Sequence, residues 1–192
     1  LQAGETWRAK IEPHGLKGTR HSYVEVSSVP PINLERRLNY LIQYPHGCVE
    51  QTTSAVFPQL YLSKILQLSE NQQTEIEKNI HSGIEKLQRF TQANGSFMYW
   101  PGGNHYSAWA NNYVGHFLLE ARKLGYHVPA EMLNDWIAWQ TSSAQSWLAG
   151  GEESMQAQSY RLYTLALANK PELGSMNRLR EAKDLNSPTR WL

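Results

Sequence analysis

The segment YPHGCVEQTTS, residues 44–54, holds the chain's only cysteine, with a glutamine three positions after it. Pro45 and Gly47 mark a turn, and the residues from Cys48 onward read as the first turn of a helix. Three kinds of chemistry are open to a thiol in that place. It can be a buried small hydrophobe, although Glu50, Gln51, Thr52 and Thr53 offer no apolar face on which to hide sulfur. It can be a thiolate favoured by the helix N-terminus, with His46, His105 or His116 as base. Or it can react with Gln51. Residues i and i+3 face the same side of a helix, so the thiol at 48 reaches the side-chain amide of 51. Attack with loss of ammonia would leave an internal thioester, a stored electrophile open to amines, hydroxyls and water. C-x-x-Q arises often by chance, and the spacing alone leaves all three open.

The elements that must position this turn are mostly helical. NLERRLNYLIQY carries Leu34, Leu38, Leu41 and Ile42 at helical spacing and predicts a helix stopping at Pro45. A second helix is predicted from about Cys48 to Leu68, with Val56, Leu60, Leu62 and Ile65 inward and a kink or break at Pro58. A third, near 72–92, carries Ile76, Ile80, Ile84, Leu87 and Phe90 on one stripe and ends at Asn94-Gly95. After the aromatic, glycine-rich loop GSFMYWPGGNHY, helices are predicted near 107–124, 130–148, 155–169 and 172–184, and TRWL looks like the start of another. Residues 111–125 and 158–172 resemble each other, which suggests a repeated αα hairpin. The N-terminal stretches 6–12 and 20–28 read as two short strands around PHGLKG, with VPPI as a linker. The expected class is mainly α, built of stacked helical hairpins, with a short N-terminal β segment.

Bulk composition narrows the function. A net charge of +1 leaves no electrostatic footprint for nucleic acid or an acidic membrane. One cysteine excludes an internal disulfide. No run approaches the roughly eighteen apolar residues of a membrane helix, so no direct membrane contact is expected. The opening LQAGETW, without Met or a signal peptide, suggests a piece of a longer protein.

GCVEQ resembles the thioester signature Gly-Cys-Gly-Glu-Gln of the alpha-2-macroglobulin and complement family, with Val49 in place of the central glycine as in bacterial members. The similarity extends through LNYLIQYPHGCVEQTTSAVFPQLYL, GSFMYWPGG, WANNYVGHFLLEA with GYHVP, and YRLYTLALANKPELGSMNRL, covering about residues 30–185. The resemblance implies that Cys48 and Gln51 form a thioester, with Gly47 and Glu50 as motif support. It implies Tyr44 as an aromatic shield, and Met98, Tyr99 and Trp100 as candidates for the same wall. It further implies an incomplete α/α toroid: residues 1–30 a β segment of an adjoining domain, 31–192 the N-terminal part of the thioester domain. Shielding would be shared with that neighbour, so the isolated 192-residue chain is expected to hold no surviving thioester.

The implied function is a covalent protease trap, spent once rather than turning over, in the periplasm or cell envelope of a bacterium. Its partners would be target proteases and other domains of the same chain, with no cofactor and no metal. GGEESMQAQ, the region matching the position of the complement histidine, lacks histidine, which implies amines as acceptors. Two rivals stand beside this reading. An α/α-toroid glycoside hydrolase would draw paired carboxylates from Glu120, Asp135, Glu152 or Glu153. A helical protein-binding scaffold would make Cys48 incidental.

Overall fold

The computed structural model describes residues 4–10, 12, 18, 38, 40–149, 154–182 and 185. The chain divides into two units, Leu1–Asn33 and Leu34–Leu192. In the first, residues 5–10 and 12 carry no strand, so the strand expected over 6–12 is not formed there. A solvent-exposed contact between Lys10 and Glu12 at 3.9 Å adds little order. The strand expected over 20–28 and the linker VPPI lie outside the described residues.

From Val49 onward the described residues of the second unit form six α-helices: α1 (Val49–Val56), α2 (Glu70–Gln88), α3 (Ala108–Lys123), α4 (Ala130–Ser146), α5 (Met155–Leu167) and α6 (Leu173–Arg180). Consecutive helices pack as hairpins, α1 on α2, α3 on α4 and α5 on α6, while α1, α3 and α5 also touch in series. An inner row of alternate helices backed by an outer row is the construction of an α/α toroid. The two segments whose sequences resemble each other fall on α3 and α5, both in the inner row.

Local signals set most boundaries. Ser69 caps α2 by accepting the Gln72 N–H at 3.3 Å, and the Gln72 side chain accepts the Ser69 N–H at 2.9 Å. Ser107 and Ser154 cap α3 and α5 in the same way, each accepting a backbone N–H three residues on. The stripe Ile76, Ile80, Ile84, Leu87 and Phe90 is buried against Val56, Leu60 and Leu62. Gly83 allows α2 to approach α1, since a Cβ there would lie 2.8 Å from a Val56 methyl.

Two expectations about the helices need correction. Helical geometry at Leu38 gives way to a turn at Tyr40, and residues 42–46 are irregular, so this helix stops well before Pro45. The break at Pro58 is present, but the chain continues as a 3₁₀ segment, Pro58–Lys64. Three residues per turn rotates the inward face: Leu60 and Leu62 stay buried while Ile65, expected inward, is 59% exposed. The closing fragment TRWL lies outside the described residues.

A polar strut crosses the inner row. The Tyr61 hydroxyl donates to Glu120 Oε2 at 2.6 Å, and Lys123 stands 3.5 Å from Oε1. The Tyr61 bond, ahead of the Lys123 charge, holds the Glu120 carboxyl below its ordinary range, while burial and then Glu120 push Tyr61 up to about 12. A carboxyl depressed in the folded state stabilises above its unfolded pKa and loses that contribution as pH falls through the folded value. The Tyr61 proton acts in the opposite sense: its contribution is full below pH 10 and lost as pH rises towards about 12. Tyr61→Phe is expected to cost about 1 kcal/mol at neutral pH and less in acid, measured by urea unfolding at both. An equal cost at both would show that the carboxylate does not take part.

Candidate thioester site

Cys48 has extended backbone, φ −71° and ψ 179°, and is the N-cap of α1. Gln51, the third residue of the helix, folds its side chain back so that Oε1 accepts the Cys48 N–H at 3.0 Å. Cys48 therefore stands where a capping box has Ser or Thr, and Gln51 is its reciprocal partner. An amide oxygen bound to the cysteine's own N–H is polarised, and the carbonyl carbon is brought to the residue that carries the sulfur. Gly47, at φ +85°, makes this possible twice over. The left-handed conformation disfavours any side chain, and a Cβ there would fall 1.9 Å from Gln51 Oε1.

The sulfur is more enclosed than its neighbours in sequence suggest. Cys48 is only 3% exposed, which corrects the expectation that nothing nearby could hide it. Thr52 and Thr53 are themselves buried. Thr53 returns its hydroxyl to the Val49 carbonyl at 2.8 Å and so presents its methyl side to the core.

Of the three aromatic-loop candidates, Tyr99 is the one the structure brings to the cysteine. Its hydroxyl donates to Glu50 Oε2 at 2.9 Å, and the nearby Cys48 side chain, then Glu50, raise the Tyr99 pKa above the ordinary range. Trp100 is 52% exposed and meets the Tyr99 ring edgewise, and Met98 is partly buried in a bridge to Tyr106. The loop itself is fixed. Asn111 on α3 holds Phe97 by both amide ends, at 2.7 and 2.8 Å. The Tyr99 N–H donates to the His105 carbonyl at 2.9 Å, and the Tyr99 carbonyl accepts the Val49 N–H at 3.1 Å.

Tyr44 is 47% exposed, with its ring 4.7 Å from that of His46. Both border an open depression of about 390 Å³ whose wall includes Gly47 and Gln51. His105 packs its ring on Tyr99. His116 is engaged elsewhere, 3.0 Å from the Tyr160 hydroxyl and edge-on to Phe57, and burial holds its pKa low. Glu120 is committed to Tyr61 and Lys123, Asp135 is exposed on α4, and Glu152 and Glu153 lie outside the described residues.

Two supporting residues escaped sequence reasoning. Lys86 on α2 donates to the Pro45 carbonyl at 3.0 Å; burial, then the Arg89 charge, lowers its pKa, and charge at Cys48 acts the other way. Gln59 donates to the Gln43 carbonyl at 2.8 Å and accepts from Asn79. Together they hold the turn from behind. Nothing local marks Lys86, because a lysine on a helix reads as solvated.

Residues 23–173 match the family model described as the A-macroglobulin TED domain. The chain is 33% identical over 142 residues to an alpha-2-macroglobulin of Escherichia coli, a match covering 70% of this chain and 8% of that protein. A structure of Salmonella alpha-2-macroglobulin reacted with methylamine superposes with TM-score 0.66 at 30% identity, covering 80% of this chain and 11% of that one. Escherichia coli alpha-2-macroglobulin activated by porcine elastase gives TM-score 0.63 at 27% identity, covering 79% and 15%. The chain thus spans about a tenth of the length of these relatives.

Proposed function

From the premise that this chain belongs to the alpha-macroglobulin thioester-domain family, we propose that Cys48 and Gln51 form an internal thioester through which a larger protein covalently captures attacking proteases. In forming it, the Cys48 thiol gives up its proton, sulfur bonds to the side-chain carbonyl carbon of Gln51, and ammonia leaves. In using it, a lysine amine of the protease attacks that carbon, the C–S bond breaks, and an amide cross-link remains with a free thiol. The protein is consumed once per capture and so acts as an inhibitor rather than a turnover enzyme.

The observation that carries this reading is the hydrogen bond from the Cys48 N–H to Gln51 Oε1 at 3.0 Å. The same N–H, aimed at that oxygen when the carbon becomes tetrahedral, would stabilise the oxyanion. Tyr44, which borders the depression that reaches Gln51, is the proposed shield against water; Gly47 and Glu50 support the motif. Amines are the proposed acceptors, in keeping with the absence of histidine from 150–158. Residues 31–192 form the thioester domain in this reading and 1–30 belong to its neighbour, in a protein exported to the periplasm or cell envelope. Partners are target proteases and the other domains of the same chain; neither cofactor nor metal enters the chemistry.

The expected result is an SDS-stable, reduction-resistant adduct when the intact protein meets trypsin or elastase, and none after pretreatment with methylamine. Adducts that form equally well after methylamine would contradict the proposal.

A further inference from the structure

Ser69, Ser107 and Ser154 each close the first turn of their helix with a hydroxyl that accepts a backbone N–H. At α1 the corresponding atom is the Cys48 sulfur, a weak acceptor, and in a thioester that sulfur is bonded to the acyl carbon. α1 has only eight residues, and a helix that short is marginal on its own. What holds its first turn comes from outside. The Val49 N–H, the first free donor of the helix, donates to the Tyr99 carbonyl at 3.1 Å. The Tyr99 hydroxyl donates to Glu50 Oε2 at 2.9 Å. One residue of the aromatic loop thus grips Val49 and Glu50, the two residues between Cys48 and Gln51.

That residue is itself anchored. The Tyr99 N–H donates to the His105 carbonyl at 2.9 Å, and the Met98 N–H to the Phe90 carbonyl at 2.9 Å. Asn111, fully buried on α3, holds both backbone groups of Phe97. The loop is therefore tied to the elements on either side of it, and α1 docks its first turn on a fixed surface.

We propose that Tyr99 and Glu50 are positioning residues of the thioester: their hydrogen bond, with the Tyr99 carbonyl on Val49, caps α1 from outside and keeps the Gln51 side chain folded back on Cys48. The inference rests on the thioester reading above and adds to it the residues that set the geometry. Neither supplies an atom to the reaction. The step they assist is the closure in which sulfur bonds to the Gln51 carbonyl carbon, the thiol proton passes to the departing nitrogen and ammonia leaves. Its rate follows the fraction of molecules in which the first turn is formed, because that turn brings the two reacting side chains together.

A mutant cycle in the intact protein tests this. The quantity read is the fraction of freshly prepared protein that has lost one ammonia and takes up methylamine, with thermal unfolding measured alongside. Tyr99→Phe removes one oxygen and keeps the ring and the backbone carbonyl. Glu50→Ala removes the acceptor, whereas Glu50→Gln keeps an oxygen for the hydroxyl. Tyr99→Phe and Glu50→Ala are each expected to lower the thioester-bearing fraction about fivefold. The double variant should fall no further than the single ones, and Glu50→Gln should recover most of the loss. Losses that multiply in the double variant would overturn the proposal, as would a Glu50→Gln variant no better than Glu50→Ala. A Tyr99→Phe variant less stable than the parent but with the parent's thioester fraction would make the bond merely structural and overturn it too. Should Glu50→Ala not fold, Tyr99→Phe against the parent decides: a lowered fraction supports the proposal and an equal one overturns it. A parent that neither loses ammonia nor takes up methylamine would instead defeat the thioester reading, and this inference with it.

Discussion

Cys48→Ala in the intact protein is expected to abolish every covalent protease adduct while leaving the domain folded. The reason is stoichiometric: without sulfur there is no acyl acceptor within the domain, Gln51 keeps its amide, and no stored electrophile exists. The structural cost is small because the cap does not depend on the sulfur. The Cys48 N–H bond to Gln51 Oε1 and the extended backbone at 48 are kept by alanine. What is lost is one buried sulfur at a helix end, about 1 kcal/mol. Denaturing gels after exposure to trypsin measure the first effect and thermal unfolding the second. Adducts persisting in the variant would mean that capture runs through another group. Loss of folding would mean that Cys48 is structural, the bland reading of a lone buried cysteine.

The largest effect on stability is expected at Gly115, in the middle of α3. A Cβ built there would lie 1.8 Å from the Trp136 ring and 2.2 and 2.3 Å from two more of its atoms. Trp136 is fully buried, and its indole N–H donates to the Asn111 carbonyl at 3.1 Å. The ring therefore cannot retreat without breaking that bond or opening the α3–α4 contact. Gly115→Ala raises intrinsic helix propensity by about 1 kcal/mol, yet overpacking against an immobile ring outweighs it, and a net loss of about 3 kcal/mol is expected. Because Asn111 also holds Phe97, the damage should spread to the loop that carries Tyr99. Urea unfolding of the domain measures it. A neutral or stabilising alanine would show that α3 and α4 can separate at low cost.

The parts of this fold legible in the sequence were those written in local code. The Ile76–Leu87 stripe, the Pro58 break, the turn at Asn94-Gly95 and the likeness of 111–125 to 158–172 each reflect periodicity or a conformational restriction within a few residues. The resemblance of GCVEQ and its surroundings drew attention to Cys48 and Gln51 for the same reason, since one turn of helix contains them both.

What the sequence hid was set by distant partners. Ile65 looks inward on an α-helix and faces out on a 3₁₀ turn. Cys48 is followed in sequence by Val49 and then by polar residues only, yet it is buried in the folded domain. Arg161 reads as a solvated charge, yet it is fully buried and donates to Gln140 at 2.8 Å and Gln158 at 2.6 Å across α4 and α5. Tyr99 was one of three candidates in its loop, beside Met98 and Trp100, and only the placement of that loop by Asn111, fourteen residues on, separates it from Trp100. The pair Asn111-Asn112 in the apolar first half of its helix was the available signal: both side chains are buried and both hold backbone of another element.

The central claim is the bond between Cys48 and Gln51, and intact mass with thiol titration tests it most directly. Freshly prepared intact protein is expected to weigh one ammonia less than its sequence requires and to show no titratable thiol at Cys48. Methylamine should then add once, at Gln51, and release that thiol. Full sequence mass with a thiol free from the start, and no methylamine uptake, would contradict the account.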